Sequence, residues 1–482
     1  MSKKNLQLRH KKSENFSRWY TQIIARSELA DYAPVKGCIV FREYSYGIWE
    51  RIQAALNEML RKTGHKNVYF PLFIPESLLK KEAEHFEGFV PECAWVTVGG
   101  KSKLRERLAI RPTSETIIYS MYEKWVKSWR DLPLKLNQWC NIVRWETKAT
   151  RPFLRTKEFL WQEGHTAHAT REEAEEEVME IVEIYIRLVE EYLAIPVLAG
   201  LKSDREKFAG AVYTATLESL MPDGRALQVG TSHNLGENFS RPFGINYVGK
   251  DEEKHHVWQT SWGVSTRLIG ALIMVHGDDK GLILPPKVAP YQAVIIPIYY
   301  KGSEKETVLY KAREVMERLE ENGLRVILDD REEYTPGWKF NEYELKGIPL
   351  RIEIGPRDIQ RAQLVMARRD NHEKITVEEE EVVKRIRETL DDIQRSLFEK
   401  AKKYTEENIT TVDTYTEFKR VLRRRGGFIR ASWCSKLDCE QKIAEETGAT
   451  IRLLPFKKEK AFSKCVICGD EACMVAYFAR AY

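Results

Sequence analysis

The stretch "RWETKATRPFLRTKEF", residues 144–159, interleaves Arg144, Lys148, Arg151, Arg155 and Lys157 with two glutamates and two phenylalanines. A surface strand has no need of so many cations. A guanidinium's planar fork, in contrast, fits the paired oxygens of a carboxylate or phosphate. The flanks KLNQWCNIVRWE (135–146) and RTKEFLWQEGHTAH (155–168) read as two strands, so the whole is a hairpin with a long basic connection. Arg144 and Glu146 are two apart and would share one strand face, as would Arg155 and Phe159, four apart. One hairpin could then aim all four at a single anion. Taken alone, the same residues also suit a salt-bridged surface hairpin.

Upstream, residues 1–30 read as a polar lead-in. YGIWERIQAALNEMLR (46–61) places Ile48, Ile52, Leu56 and Leu60 on one helical stripe. VYFPLFIP (68–75) reads as an edge strand with prolines, and RLAIRPTSE (107–115) as a strand entering a turn before a helix. Downstream, residues 171–193 predict a long helix and ALQVGTSHNLG (226–236) a strand followed by a loop. Residues 257–279 read as strand, turn and helix. LPPKVAP marks a boundary near 285–290, after which strands and helices alternate and predict a mostly parallel sheet. A long helix is expected from about 377, and a third unit from about 405.

The chain has 482 residues, too many for one hydrophobic core. With 43% apolar and 31% charged residues it reads as globular, and a net charge of +5 permits an anionic partner without requiring one. The N-terminus MSKKNLQLRHKKSENFSRW has no apolar core of a secretory signal, and no run of 18 apolar residues exists. A cytoplasmic protein without membrane contact is expected. Of the cysteines, Cys38, Cys93 and Cys140 are scattered and read as small buried hydrophobes, while the others crowd the C-terminus. Cys434-x4-Cys439 and Cys465-x2-Cys468 form two close pairs, the pattern of a structural Zn²⁺ held by four thiolates, with Cys473 to spare.

The opening stretch resembles motif 2 of the class II aminoacyl-tRNA synthetases, carried by Arg144, Glu146, Arg155 and Phe159. TSWGVSTRLIGALI (260–273) resembles motif 3, with Arg267 at the position that meets the γ-phosphate of ATP. Residues 46–71, ending in Pro71, resemble motif 1, which builds the dimer interface of that class. RPTSET (111–116), GTSHNLGENFS (230–240) and the tail of motif 2 are similar to prolyl-tRNA synthetases, in the archaeal and eukaryotic-type arrangement.

What the resemblance implies is specific. Arg144 and Arg267 would be catalytic, stabilising charge on the phosphates. Glu146, Arg155, Thr156, Phe159, Gln228 and Thr231 would hold ATP and Mg²⁺, Phe159 by stacking on adenine and Gln228 by meeting the metal. Thr113, Glu115, Trp161 and His233, together with Arg144, would hold L-proline. Thr113 and Glu115 also suit helix capping, and His233 an ordinary loop histidine. Glu344, Arg351 and Arg357 would read the guanines of the tRNA(Pro) anticodon. The terminal Tyr482 would turn toward the active site.

The implied fold is an α+β class II catalytic domain over 1–287, an antiparallel sheet with flanking helices. An α/β anticodon-binding domain follows over 288–403, then a small α+β zinc-binding domain over 404–482. A homodimer is expected. Arg144 and Arg267 are 123 residues apart, which leaves no room for the editing insertion of bacterial-type prolyl enzymes. Misactivation of alanine and cysteine without hydrolytic correction is therefore expected. A non-catalytic paralogue and a threonyl or other subclass synthetase are the competing identities.

Overall fold

The computed structural model describes residues 6–83, 92–299 and 304–482. The first five residues of the expected lead-in lie outside them. The remainder of that lead-in is not merely polar. Helix α1 (Phe16–Arg26) is capped by Asn15, whose side chain accepts from Arg18 N at 3.1 Å. It buries Trp19, Tyr20, Ile23 and Ile24, spaced to form one face. Each such side chain contributes about 1.5–3 kcal/mol on burial. Four apolar residues among polar ones are easily passed over, and they are what docks the helix. Helix α2 (Glu43–Lys62) carries the expected stripe, with Ile48, Ile52 and Leu56 fully buried.

The core of the molecule is an 11-stranded sheet. In chain order its strands are β1 (Lys66–Val68), β2 (Leu134–Val143), β3 (Glu158–His168), β4 (Leu198–Leu201), β5 (Tyr213–Leu220), β6 (Ala226–Gly236) and β7 (Trp258–Ser265). VYFPLFIP is thus not one strand: β1 ends at Val68, and Phe73–Pro75 joins a separate small sheet with Trp95–Gly99 and Ser102–Ile110. Pro71 lies in the gap, where it has no ladder donor to lose. Helix α3 (Glu115–Trp125) follows the turn at RPTS. Helix α4 (Arg171–Arg187) ends in a π-helical turn over Leu188–Tyr192, and with α1, α2 and α5 (Arg267–His276) it covers one face of the sheet.

The second unit holds β8 (Ala293–Pro297), β9 (Val326–Leu328), β10 (Leu350–Ile354), β11 (Gln363–Arg368) and β12 (Lys374–Glu378). The sheet is mixed rather than mostly parallel. β8 pairs in parallel with β9 and β10, whereas β11 and β12 add antiparallel. The short connections Gly355–Ala362 and Arg369–Glu373 cannot carry a parallel crossover, which needs a dozen or more residues. Helix α6 (Val382–Glu407) starts later than 377 because β12 occupies that stretch. The expected boundary at 403/404 falls inside this helix.

The third unit adds β13 (Ile409–Thr411), β14 (Phe428–Trp433), β15 (Ala449–Pro455) and β16 (Met474–Arg480). Its strands continue the central sheet, in the order β13-β14-β16-β15-β4-β5-β6-β7-β3-β2-β1. The junction pairs Leu454 with Leu201 and Pro455 with Gly200. Gly200 permits it, since a Cβ there would stand 2.4 Å from Leu454 O.

Candidate functional site

β2 and β3 pair antiparallel over their full lengths, so the expected hairpin exists. Its tip differs from expectation. β2 ends at Val143 and β3 begins at Glu158, so Arg144, Glu146 and Arg155 stand in the connection and strand alternation does not align them. Backbone bonds do so instead. Arg144 N donates to Lys157 O at 2.7 Å, and Arg151 exchanges bonds with Arg155 at 2.7 and 2.9 Å. Phe153 takes a left-handed φ of 62° between them, which folds the loop back on itself.

Beside this loop a cavity of about 290 Å³ opens over β3, β5, β6 and β7. Of the residues singled out in the sequence, Thr113, Glu115, Arg144, Phe159 and Trp161 line it. So do Gln228, Thr231, His233 and Arg267. Glu146, Arg155 and Thr156 do not; all three stand in the connection between β2 and β3. Buried Oε2 of Glu146 has no hydrogen-bond partner among the described residues.

At the cation end Glu218 acts on Arg267 from a distance, while the bonds of Arg267 itself go to carbonyls. Arg267 opens α5 and donates from Nε to Leu154 O at 3.4 Å and from Nη1 to Gln228 O at 3.3 Å, both neutral acceptors. Burial, then the nearby Arg144, pushes its pKa down to about 10, with Arg155 adding to the effect. The guanidinium of Arg144 lies 5.7 Å from the Phe159 ring centre, and Phe159 stands edge-on to Trp161 at 5.9 Å. Cations crowded in this way fit a polyanion. The side-chain amide of Gln228 has no partner among the described residues, which leaves its oxygen available to a hard cation such as Mg²⁺.

The other end is built around acids. Thr113 and Glu115 are buried, at 7% and 4% exposure, and the Thr113 hydroxyl donates to the Glu115 carboxylate. Neither residue caps the helix through its side chain. Ser114 is the N-cap residue, and it makes no side-chain cap bond because its hydroxyl donates to Glu163. Glu115 opens α3, where the helix dipole favours a carboxylate.

Nothing in the spacing marked Glu163, His165, Phe208 or Lys202, yet all four line the cavity. The face of β3 they could have been read from was obscured, since Glu163 and His165 sit in a strand buried on both sides. Glu163 receives Gln138 Nε2 at 2.9 Å and faces His165 Nε2 at 3.0 Å. Burial opposes charge on both. Their mutual hydrogen bond and charge attraction, joined by Ser114 and Gln138 at Glu163 and by Glu115 at His165, together outweigh it, holding the Glu163 pKa down and the His165 pKa up. Tyr119 Oη meets His165 Nδ1 at 3.1 Å.

His233 lies within β6, not in a loop. Its Nδ1 is 2.9 Å from Thr214 Oγ1, and its ring is 4.7 Å from that of Phe208. Burial, then His165, lowers its pKa to about 3, so the imidazole is neutral. Trp262 crosses this end only because residue 164 is glycine, where a Cβ would stand 2.1 Å from the indole.

The C-terminus arrives nearby. Tyr482 N donates to Ala226 O at 3.2 Å, two residues before Gln228 on β6. The Tyr482 ring lies 5.6 Å from the Arg151 guanidinium.

A second cavity, of about 300 Å³, lies in the middle unit. Glu344 and Arg351 line it with Lys280, Arg369, His372 and Lys374, but Arg357 does not. Arg351 lies 4.0 Å over Phe340 and donates to Glu353 at 2.8 Å.

In the third unit the Cys434, Cys439, Cys465 and Cys468 sulfurs all fall within 4.8 Å of one another. Two of the edges, 3.6 Å from Cys434 to Cys439 and 3.8 Å from Cys468 to Cys434, match the edge of about 3.8 Å that a Zn–S tetrahedron requires. Cys473 instead meets Ser435 Oγ at 2.9 Å.

Comparisons with known proteins agree across the chain. The family model for the tRNA synthetase class II core domain (G, H, P, S and T) matches residues 96–276. An anticodon binding domain matches 292–389, and a prolyl-tRNA synthetase C-terminal domain matches 415–482. A proline–tRNA ligase of Natranaerobius thermophilus is 54% identical over 98% of this chain and 97% of its own length. One of Rubrobacter xylanophilus is 54% identical over 98% of both. Proline–tRNA ligase 2 of Bacillus cereus is 52% identical over the whole of both chains.

Proposed function

Because the chain belongs to the prolyl-tRNA synthetases of class II, we propose that the cavity over β3, β5, β6 and β7 is where it joins L-proline to ATP. The protein is a proline–tRNA ligase, charging tRNA with proline at the expense of ATP. The observation that carries the site is the division of one cavity into a cationic end, Arg144 and Arg267, and an acidic end, Glu115 with Glu163.

The proline carboxylate attacks the α-phosphorus of ATP, the adenylate forms, and pyrophosphate leaves. Arg144 and Arg267 stand where negative charge gathers on the phosphate oxygens and stabilise it without reorganising. Arg155 adds charge from the β2–β3 connection, Phe159 supplies a face for adenine, and the orphaned carboxylate of Glu146 accepts from the adenine amine. Thr156 and Thr231 flank the nucleotide. Gln228 would help hold Mg²⁺, which would supply positive charge to the leaving pyrophosphate. Glu115 and Thr113 take the secondary ammonium of proline, while Trp161 and His233 wall its ring. A neutral His233 suits an apolar ring, since a charged one would demand water or a counter-ion. The prolyl group then passes to the 3′ end of tRNA(Pro), whose anticodon is read by Glu344 and Arg351 in the second cavity. Arg357, outside that cavity, would contact the tRNA at its edge.

Three units are proposed, with the first boundary at 287/288 and the second moved from 403/404 to the end of α6 at Glu407, supported by the extents of the three family models. The four-thiolate cluster suits a structural Zn²⁺, because four protein ligands leave no open position. A homodimer through motif 1 is supported by the exposure of Val40, Tyr46, Tyr69 and Phe73 in that region. Among the described residues no helix is long and apolar enough to cross a membrane, in keeping with work in the cytoplasm. The archaeal and eukaryotic-type architecture, without editing in cis, is supported by the chain between β3 and β7, which is taken up by α4, three sheet strands and a hairpin. The relatives named above are bacterial, so the type describes an architecture and not a lineage.

ATP–pyrophosphate exchange against all twenty amino acids tests the assignment. Proline should support the fastest exchange, with slower exchange for alanine and cysteine and persistence of mischarged alanyl product. Faster exchange with another amino acid would contradict the assignment, and rapid loss of the alanyl product would remove the editing statement.

A further inference from the structure

One buried charge cluster joins the cavity to the C-terminal unit. Lys202, next after the end of β4, lines the cavity although its side chain is only 3% exposed. Its Nζ donates to Glu218 Oε1 at 2.8 Å. An ammonium has three N–H donors, so two are left for whatever fills the cavity. Glu218, on β5, is fully buried and accepts from Thr216 Oγ1 at 3.0 Å. It is also clasped by Arg452, whose Nε and Nη2 stand 3.1 and 2.9 Å from its Oε2.

Arg452 belongs to β15, in the third unit. The clasp therefore crosses the β15–β4 junction and ends in the cavity wall. The cluster sits toward the nucleotide end, because Glu218 is the cross-strand partner of Gln228 and its charge acts on Arg267. One carboxylate serves two cations here. If Glu218 had Lys202 alone, it would hold the ammonium fully. Shared with a guanidinium, it orients the ammonium and leaves it N–H groups for a ligand, with Glu206 of the same cavity wall the other acid that acts on it.

We propose that Lys202 is a further group binding the polyphosphate of ATP and its pyrophosphate product, and that Arg452 is a positioning residue that sets Lys202 through Glu218. The proposal rests on the cavity being the ATP site. It makes the C-terminal unit a working part of the activation step, reaching it through one side chain.

Exchange kinetics on the full-length protein test it, with ATP varied at saturating proline and proline varied at saturating ATP. Loss of one charge-assisted contact predicts that K202M raises the KM for ATP about tenfold while the KM for proline stays within about twofold. R452M should shift in the same direction, and R452K should recover most of the loss. K202M keeps the Arg452–Glu218 clasp, so it decides the matter even where R452M fails to fold. A folded K202M with the parental KM for ATP, or with both KM values raised alike, overturns the proposal. R452M with parental kinetics overturns the positioning role. R144A serves as the reference. If R144A retains exchange, the site assignment itself fails, and if only R144A loses it, the assignment stands and the role of Lys202 falls.

Discussion

His165 Nε2 lies 3.0 Å from Glu163 Oε2 beneath the cavity, both groups buried and both on β3. Ser114 and Gln138 also donate to that carboxylate, so it is held in place from three elements. With Glu115 close enough to raise the His165 pKa further, two acids face one imidazole. The acids outnumber the imidazole, and that acidic surplus matches the ammonium of an amino acid.

Glu163→Gln removes that surplus while keeping shape and hydrogen bonds. The KM for proline should rise about tenfold, with the KM for ATP unchanged, the signature of a lost contact at one end of the site. Initial-rate exchange kinetics check this. An equal rise in both constants would assign Glu163 a structural role only.

Stability should fall as pH is lowered through the range from 6.5 to about 4. Burial lowers the pKa of His168 and His276 to about 4 and that of His233 to about 3. A histidine with a depressed folded pKa contributes stability that is present above its unfolded value, and that is lost as pH falls and the unfolded chain takes up the proton. Each contributes about 1.4 kcal/mol per pH unit at most. His165 has the opposite sign, since its pKa is raised: its contribution is whole below pH 6.5 and is lost as pH rises through the folded value. Urea titrations at stepped pH measure the slope, and His276→Gln should lessen it.

Removal of the metal should unfold the third unit. Structural Zn²⁺ supplies about 10–16 kcal/mol of apparent binding energy to small domains. Cys465→Ser should therefore lower both zinc content and melting temperature. Because β15 and β16 continue the central sheet, exchange activity should fall as well. Metal analysis and calorimetry read the first effect. Full thermal stability at zero zinc would contradict it.

Arg351→Ala should weaken tRNA charging by about 1–3 kcal/mol if the bidentate fork reads a base, while leaving exchange intact. Arg351 shares its cavity with Glu344, far in sequence from the activation residues. Parallel assays of charging and exchange separate the two, and equal losses would refute the separation.

Much of the lining of the candidate site was singled out in the sequence because those groups lie in short runs, RPTSET, RWETK and TSHN, whose residue types are chemically unusual for their elements. The acids and the lysine that complete it were not. Glu163 and His165 sit in a strand whose later residues are buried on both faces, so alternation carries no signal there. Lys202 acquires its role only from the sheet order that brings β15 against β4. The same non-local pairing hid the union of the first and third units. The mixed sheet of the second unit was misjudged because β12 was not read as a strand: its end at Val377 and Glu378 was taken into the helix that follows.

A crystal structure of the protein with a non-hydrolysable prolyl-adenylate analogue tests the central claim most directly. The account predicts the phosphate-equivalent group between Arg144 and Arg267, the adenine against Phe159, and the prolyl nitrogen within hydrogen-bond distance of Glu115. An analogue seated away from both arginines, or with its prolyl ring remote from Thr113 and Glu115, would contradict it.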